Sequence, residues 1–384
     1  MPESLSNIPG GMRYHFGAEA RLRRAVEDAA MSVFAGWSYE EIATPAVDYL
    51  ALFERGMGRE HALRAFRFAD ADGRLLALRP DVTSSIARAA ATIFAARARP
   101  LRLCYAAPVF RQRPQSHADW RRETTQLGCE FIGGAGAAAD MEVLAITAEI
   151  VGRLAPRGGY RVTLNSVEVF NGVAEGLALS ADDREEMRRL VDLRCSADLA
   201  AFLDARGVPA AEREAFCRLT RLPGGRERIG EARRVVTNAR SAASLDELER
   251  LWLTVEALGL ADSFEIDLGD VSNLDYYTGV TFKIYVAGAG SRVGGGGRYD
   301  RLTSNFGRAE PAVGFVLDLD ALTDVLLRGG ESPAESGARE AAAELVAGAA
   351  SDDGTTDLSS LFLEARRRRA AGESVLLGAR EVAG

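Results

Sequence analysis

Lysine is almost absent from this chain. One lysine, Lys283, stands among 47 basic residues, so the positive charge is carried by arginine. Cysteine numbers four (Cys104, Cys129, Cys195 and Cys217), without CxxC spacing, which argues against a zinc site or a disulfide framework. Cys104 and Cys129 lie in apolar runs and read as buried, unreactive thiols. The three histidines, His15, His61 and His117, are too scattered for a metal or nucleophilic centre and are expected at the surface. No apolar run reaches the roughly 18 residues of a membrane-spanning helix. The opening MPESLSNIPGG has neither the basic nor the apolar region of a secretory signal, so a cytoplasmic protein without membrane contact is expected. The net charge of -8 offers no global attraction for a polyanion. What remains is an ordinary globular balance, 47% hydrophobic and 27% charged over 384 residues, enough for two domains or three with a short appendage.

Leu22, Val26, Ala29 and Val33 recur at helical spacing, and Gly36 closes that helix. EEIATPAVDYL follows as an extended segment, because Pro45 bars a central helix there. Residues 74–78 and 101–106 read as buried strands around an alanine-rich helix over 83–98. A further helix is expected over 138–154, and then YRVTLNSVEVF alternates as a strand. Between about 170 and 260 alternation gives way to charged helical segments, the pattern of an inserted helical domain. FEIDL (264–268) and VTFKIYV (280–286) read as an antiparallel pair, with Val280, Phe282, Ile284 and Val286 facing one way. VGFVLDL (313–319) adds a buried strand leading into a helix. After Arg328 a Gly-, Ala- and Ser-rich stretch reads as linker, followed by a helix capped by Gly372 and a strand ESVLLG, roughly one βαβ fragment.

Three stretches concentrate polar groups on expected strands: LRPDVTSS, the segment from Val109 to Gly134, and SNLDYYTGVTFKIYV with GGGGRYDRL. Taken without context, Arg111, Arg113, Arg121 and Arg122 read as a solvated basic loop, and Arg366–Arg369 as a solvated helix face. Gly294–Gly297 lacks phosphate-loop spacing and reads as a tight turn. Tyr276 and Tyr277, adjacent on a strand, would face opposite ways, and Glu130 alone reads as half of a buried ion pair.

IPGGMRYHF, TPAVD, LRPDVT, the FR at 110–111, QLGCE, LDYYTG, GGGRYD and AVGF occur in that order over residues 8–328. Together they resemble histidyl-tRNA synthetase. The resemblance implies an α+β fold: a class II aminoacyl-tRNA synthetase-like core with a mainly antiparallel six- or seven-stranded sheet flanked by helices. It divides the chain into core residues 1–168 and 263–328, a helical insertion at 169–262, and a linker with a short C-terminal α/β remnant at 329–384. TPAVD resembles the segment at that family's dimer interface, implying a homodimer.

The resemblance also implies a histidine pocket. Asp81, Thr83, Gln126, Glu130, Tyr276, Tyr277 and Tyr299 match positions that surround histidine in the family, and Arg111 matches the arginine of its FRxE motif. The chemistry is apt, since an α-ammonium wants carboxylate, hydroxyl and amide acceptors and a buried imidazole wants a carboxylate and a phenol. Asp81 is one methylene shorter than the family's usual glutamate. The departures lie elsewhere. Ala321 and Ser272 stand where two further catalytic arginines belong, and FRQR either puts Arg113 at the acidic position of FRxE or loses a residue there. Each lost arginine removes roughly 3 kcal/mol or more of transition-state stabilisation. With 56 residues after Arg328, part of them linker, the family's anticodon domain is not expected. This combination is similar to the synthetase-like regulatory subunits of ATP phosphoribosyltransferase. That likeness implies no catalytic residues, no metal or cofactor, no tRNA, a short catalytic partner in a hetero-octamer, and L-histidine as feedback ligand. A divergent histidyl-tRNA synthetase and a ligand-free scaffold are the alternatives.

Overall fold

The structure is a computed structural model. It describes residues 7–112, 120–155, 159–221, 223–270, 276–329, 342–346 and 358–378, with backbone alone at 342–346, 374 and 376–378. Ser272, Arg113 and His117 therefore lie outside the described residues. The strands are β1 (Glu40–Glu41), β2 (Val47–Tyr49), β3 (Arg67–Ala69), β4 (Leu75–Leu78), β5 (Leu101–Phe110), β6 (Glu123–Ile132), β7 (Tyr160–Ser166), β8 (Pro223–Gly224), β9 (Phe264–Asp267), β10 (Val280–Val286), β11 (Gly294–Arg298), β12 (Ala312–Asp318), β13 (Ala342–Val346) and β14 (Ser374–Gly378). The helices are α1 (Gly17–Gly36), α2 (Leu50–Met57), α3 (Arg59–Ala62), α4 (Thr83–Ala91), α5 (Gly136–Leu154), α6 (Val167–Ala174), α7 (Ala181–Asp192), α8 (Ser196–Ala205), α9 (Ala210–Leu219), α10 (Glu227–Arg233), α11 (Ala239–Ala257), α12 (Leu319–Gly329) and α13 (Leu358–Ala370).

Nine strands form the main sheet, in the order β1-β5-β6-β12-β11-β10-β7-β9-β8. The six from β5 to β7 are antiparallel throughout, as the resemblance implies. The sheet exceeds the expected six or seven because β1 joins parallel to β5, and β9 with β8 extends the other edge. β1 and β8 span two residues each, too few to show a period in sequence. The expected β9–β10 hairpin does not form. β7 lies between them, parallel to β9 and antiparallel to β10. The alternation expected in β10 does hold, with Val280, Phe282, Ile284 and Val286 buried.

One face of the sheet packs on α1, α5 and α12 through Phe34, Leu127, Cys129, Met141 and Phe315, where apolar burial is worth about 25 cal/mol per Å². The other face carries α4 and a smaller cluster of Val82, Ile86, Leu103, Tyr105 and Tyr299. α4 stops at Ala91 rather than running to 98, because the Arg99 guanidinium takes the carbonyls of Ala90 and Phe94. VEVF, expected as strand, opens α6 instead. Gly294–Gly297 is no turn but the central strand β11. A Cβ on Gly296 would come 2.2 Å from the Gly314 carbonyl oxygen, so only glycine fits that packing.

The C-terminal βαβ fragment is present, β13 pairing parallel with β14, and Gly372 adopts the positive φ of a helix stop. β13 falls in the stretch read as linker. Arg366–Arg369 is not wholly a solvated face. Arg369 is buried against Gly36 and reaches Glu149, and Arg366 donates to the Leu258 carbonyl. Trp37 stacks on Phe362 at 6.4 Å, fastening this fragment to the end of α1. Among the described residues no helix is long and apolar enough to cross a membrane.

Candidate functional site

β5, β6, β11 and the start of α4 converge on one carboxylate. Alternation along β6 turns Leu127, Cys129 and Phe131 into the main core, and Gln126, Gly128 and Glu130 toward α4. Glu130 is 2% exposed. Thr83, the first residue of α4, donates its hydroxyl to Glu130 Oε1 at 2.7 Å, and Tyr105 of β5 donates to the same oxygen at 3.3 Å. Tyr299, just after β11, donates to Oε2. Among the described residues Glu130 has no ion-pair partner of the kind expected for it in isolation, and its hydrogen-bond donors there are three hydroxyls. Burial pushes its carboxyl up to about 7, with the hydroxyls opposing and the neighbouring Asp81 charge reinforcing.

Asp81 caps the first turn of α4, accepting from the Ser84 amide at 3.5 Å and hydroxyl at 3.3 Å. Burial raises its carboxyl too, while Ser84, Arg111 and His61 pull the other way. Arg111 thus acts on the site by its charge. His61 is partly buried beside Asp81 rather than on the surface.

Tyr276 and Tyr277 lie in a turn, not a strand, so they do not diverge. Their ring centroids are 4.8 Å apart, and Tyr276 meets Tyr299 edge-on at 5.8 Å. Burial lifts Tyr105, Tyr276 and Tyr299 well above the ordinary phenol range and Tyr277 to about 12, so all four stay protonated donors. Glycines clear the floor. A Cβ on Gly314 would sit 1.9 Å from Glu130 Oε2, and one on Gly297 would sit 2.9 Å from the Tyr277 ring. The structure therefore brings Asp81, Thr83, Glu130, Tyr276, Tyr277 and Tyr299 together. Gln126 lies on the same strand face, two alternations toward Asp318. A buried carboxylate and a partly buried one, among phenols and over a glycine floor, suit a small ligand with N–H donors and positive charge. Among the described residues, no group of three or more His, Cys, Asp or Glu is placed to hold a metal ion.

The family model described as Histidyl-tRNA synthetase matches residues 11–322. A protein of Moorella thermoacetica named ATP phosphoribosyltransferase regulatory subunit is 38% identical over 96% of this chain and 91% of its own length. One of the same name from Symbiobacterium thermophilum is 38% identical over 88% of this chain and 84% of its own. A solved structure described as an ATP phosphoribosyltransferase regulatory subunit/histidyl-tRNA synthetase from Bacillus halodurans C superposes with TM-score 0.77. It is 27% identical, covering 98% of this chain and 93% of that one. The chain belongs to the family of ATP phosphoribosyltransferase regulatory subunits, on the histidyl-tRNA synthetase fold.

Within that family fold, the junction of β12 and α12 is where the synthetase pattern places an arginine. Here Ala321 packs against the main core, its amide donating to Asp318 Oδ1 at 2.9 Å. Carboxylates surround it. Asp320, 2% exposed, accepts from Arg23 at 2.5 Å and from the Thr125 amide at 2.8 Å, and His15 lies 3.4 Å away. Asp324 accepts from Arg13 at 2.9 Å and from Arg121. Burial would raise Asp324, but the Arg13 and Arg121 guanidiniums outweigh it and hold the carboxyl below its ordinary value. Arg121 is therefore ion-paired rather than part of a solvated loop, and His15 is partly buried beside Glu19 at 2.7 Å.

Sequence reasoning missed Tyr105 and this acidic cluster. Tyr105 carried one signal, since it shares the inward face of β5 with Leu103 and Ala107. The cluster pairs residues about 300 positions apart, a juxtaposition no local pattern encodes.

Proposed function

We propose that this chain is a non-catalytic, histidine-sensing regulatory subunit, acting with a short ATP phosphoribosyltransferase catalytic subunit in a hetero-octamer of cytoplasmic histidine biosynthesis. The observation that carries the reading is Glu130: a buried carboxylate, held by Thr83, Tyr105 and Tyr299, facing Asp81 and two more tyrosines. L-histidine answers that arrangement. Its ammonium has acceptors in Asp81, Thr83 and Gln126, and its ring N–H has one in Glu130. Arg111 would face its carboxylate.

The absence of aminoacylation is supported by the β12–α12 junction. Aspartates at 318, 320 and 324 surround the alanine there, and Arg13, Arg23 and Arg121 are already paired to two of them. A triphosphate would meet arginines already engaged by carboxylates where the chemistry needs positive charge turned to the phosphates. A homodimer through the core is supported by the small sheet of β2, β4 and β3. Its inner face holds Asp48 paired to Arg88, and its outer face leaves Val47, Tyr49 and Phe68 about two-fifths exposed. The helical run α7–α11 fits the insertion at 169–262, and α13 with β13 and β14 fits the remnant at 329–384.

Calorimetric titration of the pure chain with L-histidine tests the pocket, and ATP–pyrophosphate exchange tests the chemistry. Saturable histidine binding that is lost in Glu130→Ala, without exchange activity, is the expected result. Robust histidine-dependent exchange would return the chain to the synthetases.

A further inference from the structure

We propose that Thr278 is a positioning residue of this pocket, tying the segment that carries Tyr276 and Tyr277 to the segment that carries Tyr299. The inference rests on the histidine-pocket reading.

Thr278 sits directly after the two tyrosines and meets residues 298–300 three times. Its amide donates to the Arg298 carbonyl at 2.8 Å, and its hydroxyl lies 3.5 Å from the same oxygen. The Asp300 amide then donates to Thr278 Oγ1 at 2.9 Å. Tyr299 is thus flanked on both sides by residues bound to Thr278.

The anchor behind this crossing is rigid. Arg298 is 8% exposed, donates to Asp140 of α5 at 3.0 Å and to Asp300 at 3.1 Å, and reaches the Gly136 carbonyl at 3.1 Å. Asp300 in turn accepts from the Ala312 amide at 2.9 Å. Tyr299 donates its own amide to the Ala312 carbonyl at 2.7 Å. Residues 298–300 are therefore held by β12 and α5, whereas Thr278 gives the Tyr276–Tyr277 turn a side-chain link to them. The two rings follow their backbone, so this hydroxyl helps set the 4.8 Å and 5.8 Å ring contacts that wall the pocket beside Glu130.

The test compares Thr278→Val, which keeps shape and the backbone hydrogen bond but loses the hydroxyl, with Thr278→Ser, which restores it. Both are made in the full chain. L-histidine affinity is expected to fall about five- to tenfold in the valine variant and to stay within about twofold in the serine variant. Near-UV circular dichroism reads the coupled tyrosine rings without any ligand, and is expected to change in the valine variant and recover in serine. Equal histidine affinity and an unchanged aromatic signal in Thr278→Val would overturn the proposal, as would a serine variant as impaired as valine. If the wild-type chain binds no histidine, the pocket reading fails, and the ligand-free aromatic signal still decides the role of Thr278.

Discussion

Replacing Glu130 by glutamine removes a charge from a site that resists it, so its effect on stability reverses a common expectation. The folded-state carboxyl lies at about 7 against an ordinary 4.5. A carboxyl raised in this way keeps its proton longer in the folded chain than in the unfolded one. Stability therefore falls as pH rises from about 4.5 to about 7 and is level beyond. Linkage with these two values gives a cost of about 1.4 kcal/mol at pH 5.5 and about 3.4 kcal/mol at pH 8, a difference of about 2 kcal/mol. Glutamine has no such cost, but its amide would oppose one of the three hydroxyl donors, a loss of about 1 kcal/mol at either pH. Urea unfolding of both proteins at pH 5.5 and 8, followed by tryptophan fluorescence, isolates the charge, because titrating groups remote from Glu130 cancel in the comparison. The variant is expected to gain about 2 kcal/mol on the wild type between the two pH values. A gap that stays constant, or that widens against the variant at pH 8, would refute the idea that Glu130 is a desolvated carboxylate awaiting a partner. With L-histidine bound, the ring N–H and ammonium should offset the cost, so the wild type is expected to recover at pH 8 and the variant not.

Gly314→Ala puts a Cβ about where the Glu130 carboxylate lies, and should abolish histidine binding in calorimetry; retained affinity would mean the carboxylate has room to move. Arg102 and Glu142 form a buried bidentate pair at 2.8 Å and 2.9 Å, which Tyr39 joins at 3.0 Å. Arg102→Met strands that carboxylate and should cost about 3–5 kcal/mol in denaturant unfolding, whereas a loss under about 1 kcal/mol would contradict the burial argument. Arg369→Ala removes the buried guanidinium that links α13 to Glu149, and should expose the C-terminal fragment to limited proteolysis while histidine affinity stays unchanged. An unchanged digestion pattern would show that Trp37, Phe362 and Arg366 hold it without Arg369.

Long, strongly patterned elements were legible in the sequence. β10 follows from its alternation, and α5 from the length of its apolar run, although α5 buries every residue from Ala139 to Ala148 rather than one face. Partners were harder: FEIDL is a strand, but nothing within it says that β7 rather than β10 lies beside it. The glycine run at 294–297 was misread for want of any side-chain alternation, and its strand identity is imposed by β10 and β12 on either side. In the pocket, Asp81, Thr83, Glu130 and the tyrosines were found through resemblance, while Tyr105 was hidden in an apolar strand. The acidic surroundings of Ala321 depend on Arg13 and Arg23 arriving from the other end of the chain, so tertiary structure alone reveals them.

In the proposed function, this chain confers histidine control on a separate catalyst through the Glu130 pocket. The most direct measurement mixes the purified chain with the short phosphoribosyltransferase from the same genome and follows phosphoribosyl-ATP formation with and without L-histidine. A larger assembly whose activity L-histidine inhibits is expected, with inhibition weakened in Glu130→Ala although assembly is kept. Assembly without histidine sensitivity, or sensitivity untouched by Glu130→Ala, would contradict it.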